Sequence, residues 1–133
     1  MNEILFRWNI TKSRGDYIVR LAIASSDGKF VNQHFGRARE FLIVDLEEDG
    51  SYKFIERREN VPSCNPTGNS TTEETIELIS DAEGVLVSHV GPGAGDKLLA
   101  HGIQPIIIPM LIDDALKKIY ELMHVEDEDN TSE

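Results

Sequence analysis

The chain has a single cysteine, Cys64, among its 133 residues, so it can form no internal disulfide and suits a reducing compartment. It is also short of positive charge: 13 Lys plus Arg stand against 24 Asp plus Glu, a net charge of -11. Phosphate neutralisation needs a basic face, so general nucleic-acid binding is excluded as a class. No apolar run approaches the ~20 residues that cross a bilayer, which argues against a membrane role. The start Met1-Asn2-Glu3-Ile4 lacks the basic residues of a signal peptide, and Arg7, Asn9 and Lys12 interrupt any apolar stretch, so a cytoplasmic location is expected. No Cys/His pair has zinc-finger spacing, and no internal repeat is visible.

What is present suits one domain with one core, large enough to bury roughly two-thirds of its unfolded surface. Apolar runs predict strands at Val19–Ala24, Phe41–Val44 and Tyr52–Arg57, the last two joined by the turn Glu48-Asp49-Gly50, so the first half reads as an antiparallel meander. A loop follows from Asn60 to Ser70, with Pro62, Pro66 and Gly68. Thr71 and Glu74 have capping-box spacing for a helix reaching about Ser80, with Ile76 and Ile79 facing the core. Val85-Leu86-Val87 is a short buried strand. Gly91-Pro92-Gly93-Ala94-Gly95 opens a helix on which Ala94, Leu98 and His101 share a face, and Gly102 ends it as a left-handed cap. Ile106-Ile107-Ile108 forms the last strand, and Ile112, Ala115, Leu116, Ile119 and Leu122 mark an amphipathic helix. The expected fold is α/β: a mixed five-stranded sheet, three antiparallel strands followed by βαβ-type units, with helices on its faces.

Two flanks fall outside this pattern. In residues 1–16, Ile4, Phe6, Trp8 and Ile10 alternate with Leu5, Arg7 and Asn9, which reads as one more strand; it could extend the sheet edge or cross to another subunit in a homodimer. Residues 124–133, with Glu126-Asp127-Glu128-Asp129 and Glu133, read as a disordered acidic tail.

The segment Ser25 to Phe41, SSDGKFVNQHFGRAREF, sets His34 in a polar strand-to-strand connection where packing does not account for it. Asp27-Gly28 marks a turn, and Gly36 allows a sharp or closely approaching backbone. With Arg37 and Arg39 the loop offers one imidazole, glycine amides and two guanidinium groups, a set suited to an anionic ligand that also needs a coordinating nitrogen. As i and i+2 on an extended segment, Arg37 and Arg39 point the same way. Their alternative is ordinary pairing with Glu40 or Asp45.

IASSDGKFVNQHFGRAREFLIVD (Ile23 to Asp45) and VGPGAGDKLLAHGIQPI (Val90 to Ile106) resemble the dinitrogenase iron-molybdenum cofactor biosynthesis family, which includes NifX, NafY and the C-terminal domain of NifB. The resemblance covers residues 17–123. It implies an RNase H-like domain without nuclease chemistry. It further implies a non-enzymatic carrier that holds an iron-sulfur or iron-molybdenum precursor cluster and works with nitrogenase-cofactor assembly proteins or related cluster-handling proteins. His34, Phe35, Gly36, Arg37 and Arg39 then lie at the cofactor. His34 is an iron ligand that leaves the cluster releasable, the arginines offset sulfide charge, Phe35 packs to fix the loop, and Gly36 serves conformation.

Cys64 is either a soft auxiliary ligand or an incidental free thiol; alone it holds no four-thiolate cluster. His89 stands where the family more usually has an apolar or basic residue, at the carboxyl end of a strand where α/β sheets bind ligands. It reads either as a second ligand or as a structural strand-end histidine. His101 reads as half-buried or capping, and His124 carries little signal. Two other classes remain: a metal-free interaction or regulatory module of the same fold, and a hydrolase using carboxylates such as Asp27, Asp45 and Glu56, whose spacing does not single them out. The glycine run lacks the Lys-Ser/Thr of a P-loop.

Overall fold

At 19–24, 41–46 and 85–87 successive apolar side chains pass to opposite faces of the sheet and supply two cores. The structure, a computed structural model, describes residues 18–60 and 72–132, with side chains as far as 122. The expected strand in 1–16, the Cys64 loop and the Thr71 cap lie outside the described residues.

Five strands, β1 (Ile18–Ala24), β2 (Glu40–Glu47), β3 (Tyr52–Glu59), β4 (Gly84–Val87) and β5 (Gln104–Ile107), form one sheet in the order β3-β2-β1-β4-β5. β1 pairs antiparallel with β2, and β2 with β3, which is the expected meander. β1 and β4 run parallel, in register Leu21↔Gly84 to Ile23↔Leu86, and β4 runs parallel with β5. Each strand forms within three residues of its apolar run.

The helices are α1 (Thr72–Leu78), α2 (Pro92–Ala100) and α3 (Ile112–Ser132). α1 and α2 cover one face, where Ile76, Ile79 and Leu98 pack on Ala22, Ala24, Phe41, Ile43, Val85 and Val87. α3 covers the other, with Ile112, Ala115, Leu116 and Ile119 on Val19, Leu21, Ile23, Val44, Leu46 and Leu86. Burying one such Leu, Ile or Phe side chain is worth about 1.5–3 kcal/mol. Successive residues such as Ile43 and Val44 serve opposite cores, so a one-residue slip would exchange the two sets of side chains and mispack both cores.

Pro92 occupies the first turn of α2, where its missing N–H costs nothing, and Gly102 follows the helix at φ 80 as the expected left-handed cap. Where the charge pattern predicts a disordered tail, the backbone of α3 continues as helix to Ser132. No Gly or Pro interrupts that stretch, and each added residue gains one hydrogen bond.

Candidate functional site

Because β1 and β4 are parallel neighbours, Ala24 and Val87 end side by side, and the segments leaving them meet at the carboxyl edge of the sheet. The β1–β2 connection begins with a self-contained turn. Gly28 lies at φ 75, and the Asp27 carboxylate accepts the amides of Lys29 and Phe30 at 2.9 and 3.0 Å. Those bonds, the Phe30 amide foremost, hold the Asp27 carboxyl below the usual range. The chain then folds back over the end of β1, with the amides of Asn32 and Gln33 both donating to the Ala24 carbonyl at 3.2 Å.

The next residues reach the β4 segment. Ser88 donates its amide to the Gln33 carbonyl at 3.0 Å, Phe35 donates to the His89 carbonyl at 2.9 Å, and His34 and His89 thereby form an isolated parallel bridge. Residues paired in this way carry their side chains to the same side. The two imidazole rings accordingly stack, with centroids 4.8 Å apart and planes 19° from parallel. Both histidines are exposed, and among the described residues neither ring has a hydrogen-bonding or ionic partner.

Phe35, in contrast, is 1% exposed and lies 6.0 Å, centroid to centroid, from Phe41 in the core beneath α2. It is the packing residue that fixes the loop. Phe35–Arg37 forms one turn of 3-10 helix, closed by Arg37 and Ala38 amides donating to the His34 and Phe35 carbonyls. Gly36 sits inside that turn. One expectation changes here: Arg37 does not lie on an extended segment, so the i, i+2 argument for Arg37 and Arg39 does not apply.

Nor do these arginines pair with Glu40 or Asp45. Strand register gives Asp45 to its cross-strand partner Arg20, at 2.8 Å, and places Glu40 within 3.6 Å of Arg57. Among the described residues Arg20, Lys53, Arg57, Arg58 and Lys97 each have a carboxylate partner, whereas Lys29, Arg37 and Arg39, like Lys117 and Lys118 on α3, have none. The connection from 25 to 39 thus presents three uncommitted cations against one acid, Asp27, in a strongly acidic protein. Lys29 escaped notice in the sequence; its place directly after the Asp27-Gly28 turn was the available signal.

The remaining candidates sort cleanly. His101 is exposed, not half-buried, and its Nδ1 is 2.8 Å from the Lys97 carbonyl at the end of α2, a capping contact. Gly91, Gly93 and Gly95, which open α2 just beyond His89, would each carry a Cβ into open space. Cys64 lies outside the described residues. Among the described residues no three His, Cys, Asp or Glu side chains gather as a metal-holding group. The carboxylates weighed for hydrolysis are committed: Asp27 to its turn, Asp45 to Arg20 and Glu56 to Arg58.

Residues 17–122 match the family model described as "Dinitrogenase iron-molybdenum cofactor". The chain is 36% identical over 107 residues to the FeMo cofactor biosynthesis protein NifB of Frankia alni, covering 77% of this chain and 21% of that protein. It is 33% identical over 85 residues to Protein NifY of Klebsiella pneumoniae, covering 64% of this chain and 36% of that one. It thus spans about a fifth of the length of the first and about a third of the second. The crystal structure of PH0822 superposes with a TM-score of 0.60 at 28% identity, covering 77% of this chain and 90% of that one.

Proposed function

This chain belongs to the dinitrogenase iron-molybdenum cofactor family, and on that premise we propose that it serves nitrogenase cofactor assembly, or a related metallocluster pathway, as a non-enzymatic carrier of an iron-sulfur or iron-molybdenum precursor cluster. The observation that carries this reading is the exposed His34 imidazole, its nitrogens without a hydrogen-bonding partner among the described residues, in a connection whose Lys29, Arg37 and Arg39 have no carboxylate partner there either. Imidazole is a good iron ligand. The three cations offset the charge of a sulfide-rich cargo in a protein whose overall field repels anions.

The sparse donor set supports carriage over permanent residence. A structural metal site closes its coordination shell with protein ligands, whereas one or two imidazoles leave positions that an acceptor protein can take over. Cys64 enters as an auxiliary soft ligand. The strand order, with β2 antiparallel in an otherwise parallel centre, supports the RNase H-like description. The commitment of Asp27, Asp45 and Glu56 to turns and ion pairs favours carriage over hydrolysis. Donor and acceptor are then cofactor-assembly proteins, met in the cytoplasm.

Hand-over provides the functional test. The protein, loaded anaerobically with isolated iron-molybdenum cofactor and freed of excess, is mixed with cofactor-free dinitrogenase, and the activity gained is measured. Wild type delivers cofactor and His34→Ala delivers little. Equal delivery by the two, or none by wild type, overturns the reading.

A further inference from the structure

We propose that His89 is a second cargo ligand, so that the cluster is gripped at two points by imidazoles from separate strand ends. The inference rests on the carrier reading above and extends it.

The case begins with the backbone. The Phe35 and Ser88 amides lock the two segments together, and the bridge they create puts the His34 and His89 side chains on one side at one height. Ring attraction is not what brings them together; the parallel register of β1 and β4 does. A histidine kept for structure at a strand end would bury its ring or bond its nitrogens. His101 does the latter, toward the Lys97 carbonyl, while His89 is exposed with neither nitrogen engaged by any described residue.

The spacing fits a metal cargo. Metal–imidazole bonds are about 2.0–2.1 Å long and lie in the ring plane, so two nearly parallel rings 4.8 Å apart aim their nitrogens side by side, toward two neighbouring metals on one face of a cluster. Because both rings stand ready before cargo arrives, little ordering cost opposes the second contact, and the second bond acts at high effective concentration. The cargo class follows: an anionic cluster with two exchangeable coordination positions on one face.

The full chain, with histidine 15N-labelled, is loaded anaerobically with an iron-sulfur precursor cluster in a paramagnetic state and studied by pulsed EPR. Cluster loss is timed in parallel. Wild type is expected to show two strongly coupled histidine nitrogens. His89→Ala and His89→Gln should show one and lose iron about tenfold faster or more. Both variants alter an exposed ring and leave the backbone bridge in place, which circular dichroism checks. If the His89 variants keep the wild-type couplings and retention while His34→Ala loses the cluster, two-point attachment is wrong and single-ligand carriage stands. If wild type retains no iron, the carrier reading itself falls, and this inference with it.

Discussion

Phe35 ties the two halves of the site together: its amide donates to the His89 carbonyl at 2.9 Å while its ring sits 1% exposed in the core. One residue thereby places His34 on its amino side and fixes the β4 segment opposite. Phe35→Ala should cost about 3–5 kcal/mol through lost burial and the cavity left behind, and Phe35→Leu should cost less. Urea denaturation gives the energies. Cluster retention should fall further in the Ala variant than in the Leu variant, since the loop loses its anchor.

Arg37 and Arg39 are exposed and unpaired among the described residues, so replacing both with Glu should move stability by no more than about 0.5 kcal/mol. Cargo affinity should drop nonetheless. In wild type it should also weaken as salt rises from low to high ionic strength, and the double variant should show a flatter dependence. Titrations at several salt concentrations distinguish this from a structural effect, which would appear in the denaturation midpoint.

Away from the two histidines, Arg58 forks onto Asp81 at 2.7 and 2.9 Å and, with help from Arg20, holds its carboxyl down at about 2. A carboxyl lowered in the folded state stabilises fully above its ordinary value of 3.8 and loses that contribution as pH falls toward 2. Stability should therefore decline between about pH 4 and pH 2. Asp81→Asn should lose about 1 kcal/mol at neutral pH, after allowance for solvent screening, and show a shallower acid limb. Denaturation midpoints at pH 7, 4, 3 and 2 check both.

Gly50 and Gly28 separate backbone strain from steric contact. Both have positive φ, but a Cβ at Gly50 would meet the Tyr120 ring at 3.2 Å, whereas one at Gly28 meets nothing within 4 Å. Gly28→Ala should cost about 1 kcal/mol from backbone conformation alone. Gly50→Ala should cost more, and adding Tyr120→Ala should recover part of the difference.

The His34 loop was readable because the Val19–Ala24 and Phe41–Val44 runs bracket it, and the Gly102 cap because only a glycine ends α2. The His34–His89 pair was not readable. It depends on β1 and β4 lying parallel in one particular register, and a short buried strand such as Val85–Val87 carries no alternation that specifies a partner. The same ignorance of register hid the true partners of Asp45 and Glu40, which sequence proximity alone had offered to Arg37 and Arg39. The 3-10 turn at Phe35–Arg37 is too short to leave a periodicity.

The central claim, that this connection holds a metal cluster through His34, is met most directly by iron retention. Purified wild type and His34→Ala are incubated anaerobically with an isolated cofactor precursor, separated from unbound cluster, and compared for iron content and visible absorption. Wild type should keep iron and colour while His34→Ala emerges almost free of both. A wild type that emerges without iron, or a variant that keeps as much as wild type, would contradict it.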